Sequence, residues 1–415
     1  MRRLLGIYLL FALTLQAEVL TLQESINSTL KNYPDVKSFA LKLKQSKASY
    51  KAAFADYLPQ VDLSAEYNAI ETYALPVNGS FHTKDDDGWN AGVNLKQKVW
   101  DFSKTSSKVN AIKIDKDISA LSLNEVKAFL AYKVKSLYKL MIVQNEAVAV
   151  RKKDLESKKA YYEQAKALVE QGLKTKADAS RFLYAVYNAR GDLAIAKSGY
   201  EKAKSSLSLY MGKKIDAHTT LESNLLQEAF NSKQNVQKEV LESNYNLKMD
   251  SKTIEKNILL YKSAKAAHYG SLDIVASYNH IDTLNAYDSK LAGITYNVPI
   301  YSGGRVSAQA QEAQISSQIS QEQKRSRELA LKDETETLLL DIKRYNETIE
   351  AKKAGLFSAK ETQNVLNGRY KAGLATYIEV LDATSLVLNA KLGLLEAYYS
   401  RALSIDRIEY LKGKI

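Results

Sequence analysis

The stretch VDLSAEYN at residues 61–68 returns as LDIVASYN at residues 272–279. In both, apolar residues take every second position: Val61, Leu63, Ala65 and Tyr67, then Leu272, Ile274, Ala276 and Tyr278. Asp62, Ser64, Glu66 and Asn68 alternate with the first set, and Asp273, Val275, Ser277 and Asn279 with the second. Period two is the pattern of a β-strand with one apolar and one polar face. Such a strand sits on a soluble core, or between lipid outside and water inside. A second alternating segment follows each: Val93, Leu95 and Val99, interrupted by Gln97, and then Ala292, Ile294, Tyr296, Val298 and Ile300.

The repetition extends outward. Ala91-Gly92-Val93-Asn94-Leu95 recurs as Ala292-Gly293-Ile294-Thr295-Tyr296, a shift of 292 − 91 = 201. Gly172-Leu173-Lys174-Thr175 recurs as Gly373-Leu374-Ala375-Thr376 at the same shift. The chain is one unit written twice, over residues 18–215 and 216–415. Each copy reads helix, strand, strand, long helical hairpin. Copy one places strands at about 60–68 and 90–100 and a hairpin over 102–210 with its tip near 172. Copy two places strands at about 271–279 and 291–300 and a hairpin over 304–411 with its tip near 373. The copies differ mainly in one loop, Ile70–Gly88 against His280–Ser289. The acidic run Asp85-Asp86-Asp87-Gly88 within it lacks calcium-ligand spacing and reads as a solvated external loop.

Only four prolines occur (Pro34, Pro59, Pro76 and Pro299), so long stretches are free of the residue that breaks helices. Helix is expected for nearly 70 residues after each second strand, roughly 100 Å at 1.5 Å per residue. A return helix follows Gly172 and Gly373. Its apolar residues fall at heptad spacing: Phe182, Ala189, Leu193, Ala196, Tyr200, Ala203, Leu207 and Tyr210 in copy one. Copy two offers Ile378, Leu381, Leu388, Leu392, Leu395 and Tyr399, with a second stripe through Leu386, Ala390, Leu394 and Ala397. Two stripes fit a helix with neighbours on both sides.

Composition narrows the function. The 415 residues are 45% hydrophobic and 26% charged, and no cysteine is present. Disulfides, thiolate metal sites and cysteine nucleophiles are excluded, as is lipid attachment through a cysteine. The four histidines (His82, His218, His268 and His280) are scattered without ligand spacing. No catalytic residue, metal site or cofactor is expected, and the protein reads as a non-enzyme. Met1–Ala17 has two arginines, an apolar run and a small final residue, the layout of a cleaved signal peptide. The formal charge of +12 is assigned to solvated helix faces, since an exported chain rarely meets nucleic acid.

Four strands cannot close a barrel, for which about eight are needed. Lipid tolerates no open sheet edge. If these strands cross a membrane, several chains share one barrel, and geometry alone leaves two, three or four copies open.

At this point the residues meet a known family. RYKAGLATYIEVLDATSLVLNAKLGLLEAYYSRA (Arg369–Ala402) resembles the signature of TolC-like outer-membrane efflux proteins, and GLKTKADASRFLYAVYNARGDLAIAKSGYEKA (Gly172–Ala203) resembles its partner. The strand exit Val298-Pro299-Ile300-Tyr301-Ser302-Gly303-Gly304 is also similar. The resemblance implies a mainly α protein with membrane β. Its four strands join a shared trimeric twelve-stranded β-barrel, continued by a periplasmic α-helical barrel. It implies a homotrimer in the outer membrane, contacting its lipid, that works with a periplasmic adaptor and a proton-driven or ABC-type inner-membrane pump. The chain stops at Ile415 without the tail that many members carry.

A conduit depends on access and charge. Glu379 and Asp382 lie three apart on one helix face. Under threefold symmetry each becomes a ring of carboxylates that favours cations; alternatively both answer the positive end of the helix. By resemblance Tyr370, Glu379, Asp382 and Asp178 match the family's gate, and Ala375 stands where the family has a tip arginine. The turns Gly172, Leu173 and Thr175, and Gly373, Leu374 and Thr376, are the expected adaptor-docking surface. The expected function is the exit duct of a tripartite efflux pump. The alternatives are the duct of a type I protein secretion system and, from another class, a non-conducting periplasmic coiled-coil scaffold.

Overall fold

The computed structural model describes residues 19–216, 219–222, 226, 230 and 235–415. The expected signal peptide, Met1–Ala17, lies outside them, as does His218. In chain order the elements are β1 (Val19–Leu20), α1 (Leu22–Asn32), α2 (Pro34–Phe54), β2 (Gln60–Val77), β3 (Ser80–Trp100), α3 (Lys104–Glu170) and α4 (Lys176–Met211). Then follow β4 (Thr220–Leu221), α5 (Val236–Ser243), α6 (Tyr245–Ala266), β5 (Ser271–Asp282), β6 (Tyr287–Asn297), α7 (Arg305–Lys371) and α8 (Tyr377–Leu411). Two compact units result, one of Lys37–Glu125 with Asn244–Ala330, the other of the described residues within 1–36, 126–243 and 331–415.

The first unit carries an antiparallel sheet in the order β2-β3-β5-β6. Its ladder sets Val61 opposite Leu95 and Leu63 opposite Val93. It also sets Leu95 opposite Ala276, and Ile274 opposite Ile294. Directly opposed residues share a face, so one face is mainly apolar and open, Leu63 being 81% and Ile294 69% exposed; Gln97, His280, Asp288 and Lys290 are the polar residues set into it. The other face carries Asp62, Ser64, Asn94, Ser277 and Asn279. Aromatic residues bound the apolar face, Tyr67, Trp89 and Tyr278 at one end and Trp100 and Tyr296 at the other. From Trp89 to Trp100 is about 36 Å along the strand at 3.3 Å per residue. At a tilt near 40° that becomes about 28 Å, close to the apolar height of a membrane barrel.

The expected loop Ile70–Gly88 is instead strand. β2 has 18 residues and β3 has 21, against 12 and 11 for β5 and β6. The ladder resumes at Glu71 opposite Asp86 and runs to Val77 opposite Ser80, after a bulge between Asn68 and Glu71. Asn78-Gly79 closes it with φ of 47° and 81°. An Asn-Gly pair left-handed at both positions is the tight turn that strand twist favours. The acidic run therefore lies on an exposed strand, where Thr72 Oγ1 donates to Asp85 Oδ1 at 2.7 Å.

The second unit holds residues 126–211 and 331–411 of the helical hairpins. α3 and α7 each have 67 residues, α4 has 36 and α8 has 35. Its core gathers Leu20, Val134, Tyr138, Met141, Leu207 and Met211. The buried Tyr138 hydroxyl donates to the Leu20 carbonyl and accepts from the Glu222 N–H at 3.0 Å, bracing β1 and β4. Lys139 on α3 and Asp406 on α8, both buried, pair at 2.8 and 2.9 Å.

Of the expected heptad stripe on α4, Phe182, Ala189, Ala203 and Leu207 are buried. On α8 Leu388 and Ala397 of the expected stripes are buried, and the buried line also takes in Val380, Ala383, Thr384 and Val387, whereas Ile378 and Leu386 are exposed. Thr384 is accommodated because its hydroxyl donates back to the Val380 carbonyl at 2.8 Å.

Candidate functional site at the helical tips

The two tip turns share one construction. Gly172 and Gly373 take φ of 72° and 77°, the left-handed region that favours glycine. The next N–H reaches back five residues, Leu173 to the Leu168 carbonyl at 2.9 Å and Leu374 to the Arg369 carbonyl at 2.8 Å. That bond ends one helix, and a capping box opens the next. Thr175 Oγ1 accepts from the Asp178 N–H at 3.3 Å, and Asp178 Oδ2 accepts from the Thr175 N–H at 3.0 Å. Thr376 and Glu379 repeat this at 3.3 and 2.6 Å. Leu173 and Leu374 project at the turns, 66% and 69% exposed.

The expected gate residues separate into three environments. Glu379 and Asp178 are folded back on their own helix starts, so they stabilise the caps as well as carrying charge. The Thr376 N–H and hydroxyl, with some help from the Arg369 charge, hold the Glu379 carboxyl below its usual range. Asp382, one turn further on, is exposed. Tyr370 is buried in an aromatic cluster with Phe182, Ala165, Ala375 and Val380. Its ring meets Phe182 edge-on at 5.8 Å, and Lys174 Nζ lies 5.5 Å from its centroid. Burial, and secondarily the Asp178 charge, push the Tyr370 phenol up, and its hydroxyl has no hydrogen-bond partner among the described residues.

Residues from all four hairpin helices meet here. Phe182 (α4) also approaches Tyr161 (α3) at 6.0 Å and Tyr377 (α8) at 6.1 Å, and Tyr161 donates to Asn367 Oδ1 (α7) at 2.6 Å. Ala375 fills a place in this cluster. Arg369, unremarked in the sequence, reaches across the second turn to the Leu374 carbonyl at 3.4 Å. Its cue was position, a basic residue in the last turn of a helix.

No helix among the described residues is long and apolar enough to cross a membrane, and no cluster among them has the acidic or histidine groups to hold a metal. The sheet with an open apolar face and the paired helical hairpins define a channel of the outer-membrane class, and comparison agrees. The sequence matches the family described as "Outer membrane efflux protein" over residues 25–213 and 236–413. "Probable outer membrane lipoprotein SilC" of Salmonella typhimurium is 25% identical over 404 residues, covering 91% of this chain and 82% of that one. The outer membrane protein TolC of Vibrio cholerae is 21% identical over 439 residues, covering 100% and 96%. The solved structure of CusC superposes with a TM-score of 0.85 at 18% identity, covering 95% and 92%. That of VceC from Vibrio cholerae gives 0.83 at 16%, covering 95% and 96%.

The chain belongs to the outer membrane efflux protein family. It is a TolC-like, non-enzymatic efflux duct of the outer membrane with a large periplasmic helical portion, and its fold joins β-barrel strands to a helical barrel.

Proposed function

We propose that three copies close one barrel and form the exit duct of a tripartite pump, passing small molecules from periplasm to exterior. The observation that carries this is the sheet: four strands, with β2 and β6 open at its edges and an uncovered apolar face. Lipid forbids such edges, and three sheets in a ring remove them. Apolar side chains left exposed on the helices support the same reading, Tyr187 and Ile195 on α4 and Leu340 and Phe357 on α7. A neighbouring copy would cover them. The exposed Leu173 and Leu374 serve as contacts for a periplasmic adaptor, which connects the duct to a proton-driven or ABC-type pump.

The tips act as the periplasmic gate. Asp382 supplies the principal carboxylate ring, since Glu379 and Asp178 are bonded to their caps, and Tyr370 ties the two hairpins of one protomer together. Conductance in a planar bilayer tests this. Small cation-selective steps, blocked by multivalent cations from the periplasmic side and unblocked by Asp382→Ala, are expected. A silent wild type that stays soluble without detergent would overturn the duct.

A further inference from the structure

The first strand hairpin outruns the second. Trp89 is the outermost β3 residue paired with β5, opposite Asp282. Past it β2 and β3 continue alone, from Asn68 opposite Gly88 to the Asn78-Gly79 turn. Nine further residues at 3.3 Å each make an arm of about 30 Å.

Ladder parity gives the side each residue takes. Trp89 and Tyr67 belong to the apolar outward face, so Gly88 and Asn68 face the lumen. Beyond the bulge, Asp86, Lys84 and His82 keep that side, opposite Glu71, Tyr73 and Leu75. There the arm folds over. A Cβ on Gly88 would lie 3.3 Å from the Tyr73 hydroxyl and 3.2 Å from Thr283 Cγ2 of the β5–β6 turn. Tyr73 is opposite Lys84, four residues past Gly88. A flat ribbon would keep these rows about 13 Å apart, beyond the reach of a tyrosine ring. The bulge supplies the bend. Glu71, Tyr73 and Leu75 are half-buried, while Thr72, Ala74 and Pro76 on the other face are exposed. The concave face is the lumen face.

Twelve strands spaced 4.8 Å and tilted about 40° enclose a radius of about 12 Å. The arm is more than long enough to reach the axis. Resting on the trimeric reading above, we propose that the arms of three copies bend across the outer mouth and meet there. Val77, on the lumen side at the tip opposite Ser80, packs against its counterparts and forms a second, external constriction. An isolated two-stranded ribbon is marginal in water, and Val77 is 44% exposed on the single chain; the two other copies give it cover.

The chain has no cysteine, so Val77→Cys and Ser80→Cys, opposite each other on the lumen side, each add a single thiol. Copper phenanthroline with dioxygen takes two protons and two electrons from a pair of such thiols and leaves a disulfide. Covalent dimers are expected from both variants and none from the outward-facing Leu63→Cys. Unit conductance should fall at least twofold on oxidation and recover with a reductant. No dimer from either variant, in a particle that sediments as a trimer, overturns the external constriction alone. A particle that sediments as a monomer overturns the trimeric reading and this one with it.

Discussion

Glu379 Oε2 accepts from both the backbone N–H and the hydroxyl of Thr376, at 2.6 and 2.9 Å. The carboxylate that sequence spacing aims into a pore is thus also the clasp of its own helix. Cap and charge can be separated by mutation. Thr376→Ala removes the cap acceptor, at a local cost of about 1 kcal/mol, and leaves Asp382 in place. Hydrogen exchange should quicken at residues 377–380 while multivalent-cation block persists. Asp382→Ala should give the opposite result, with block lost and exchange unchanged.

The same bonds give a pH dependence. The folded Glu379 carboxyl titrates below its ordinary range because the Thr376 N–H and hydroxyl favour its charged form. A group lowered on folding contributes stability that is present above its unfolded pKa and lost as pH falls through the folded value. Exchange at the start of α8, corrected for the intrinsic rate, should rise in acid below the usual glutamate range. In Glu379→Gln this step should vanish.

Phe182 touches residues of α3, α7 and α8 at the tip. Phe182→Ala leaves a cavity at a fully buried site, worth about 3–5 kcal/mol. The two hairpins lose their shared anchor, and single channels should show larger and longer openings. A destabilised variant with unchanged openings would separate the cluster from the gate.

Lys139 and Asp406 join α3 to α8 in a buried pair. Asp406→Ala strands an ammonium group, and losses of about 3–5 kcal/mol accompany such breaks. Replacing both by apolar residues, Lys139→Met with Asp406→Leu, should recover most of that. Thermal melts in detergent of the single and double variants measure the difference.

Much of this was legible in the residues. Alternation at Val61–Tyr67 and Leu272–Tyr278 marks the strands, because a two-faced sheet leaves no other arrangement of apolar groups. The arm was hidden by its charge: the three aspartates read as loop, although Asn78-Gly79 between them and Ile70 is a strong hairpin signal. The stripe on α8 is only partly legible, Leu388 and Ala397 being buried and Ile378 and Leu386 exposed, because Ala, Leu and Val crowd several faces of that helix and spacing cannot choose among them. Thr175 with Asp178, and Thr376 with Glu379, carry the capping-box spacing. Glu379 fits a gate group or a dipole partner equally by its separation from Asp382 and from the helix end, and Asp178 enters the gate by resemblance alone. Only the rotamer of Glu379 shows which oxygen is engaged.

The brace made by Tyr138 has a consequence in time. Val19 pairs with Thr220 in a parallel strand pair, and the hydroxyl that secures both sides comes from the middle of α3. Contacts across so much intervening chain are late and slow, since loop closure precedes any reward. The amino end of the described chain therefore waits for the whole first hairpin to exist before it can settle, and its docking reports that the first repeat is complete.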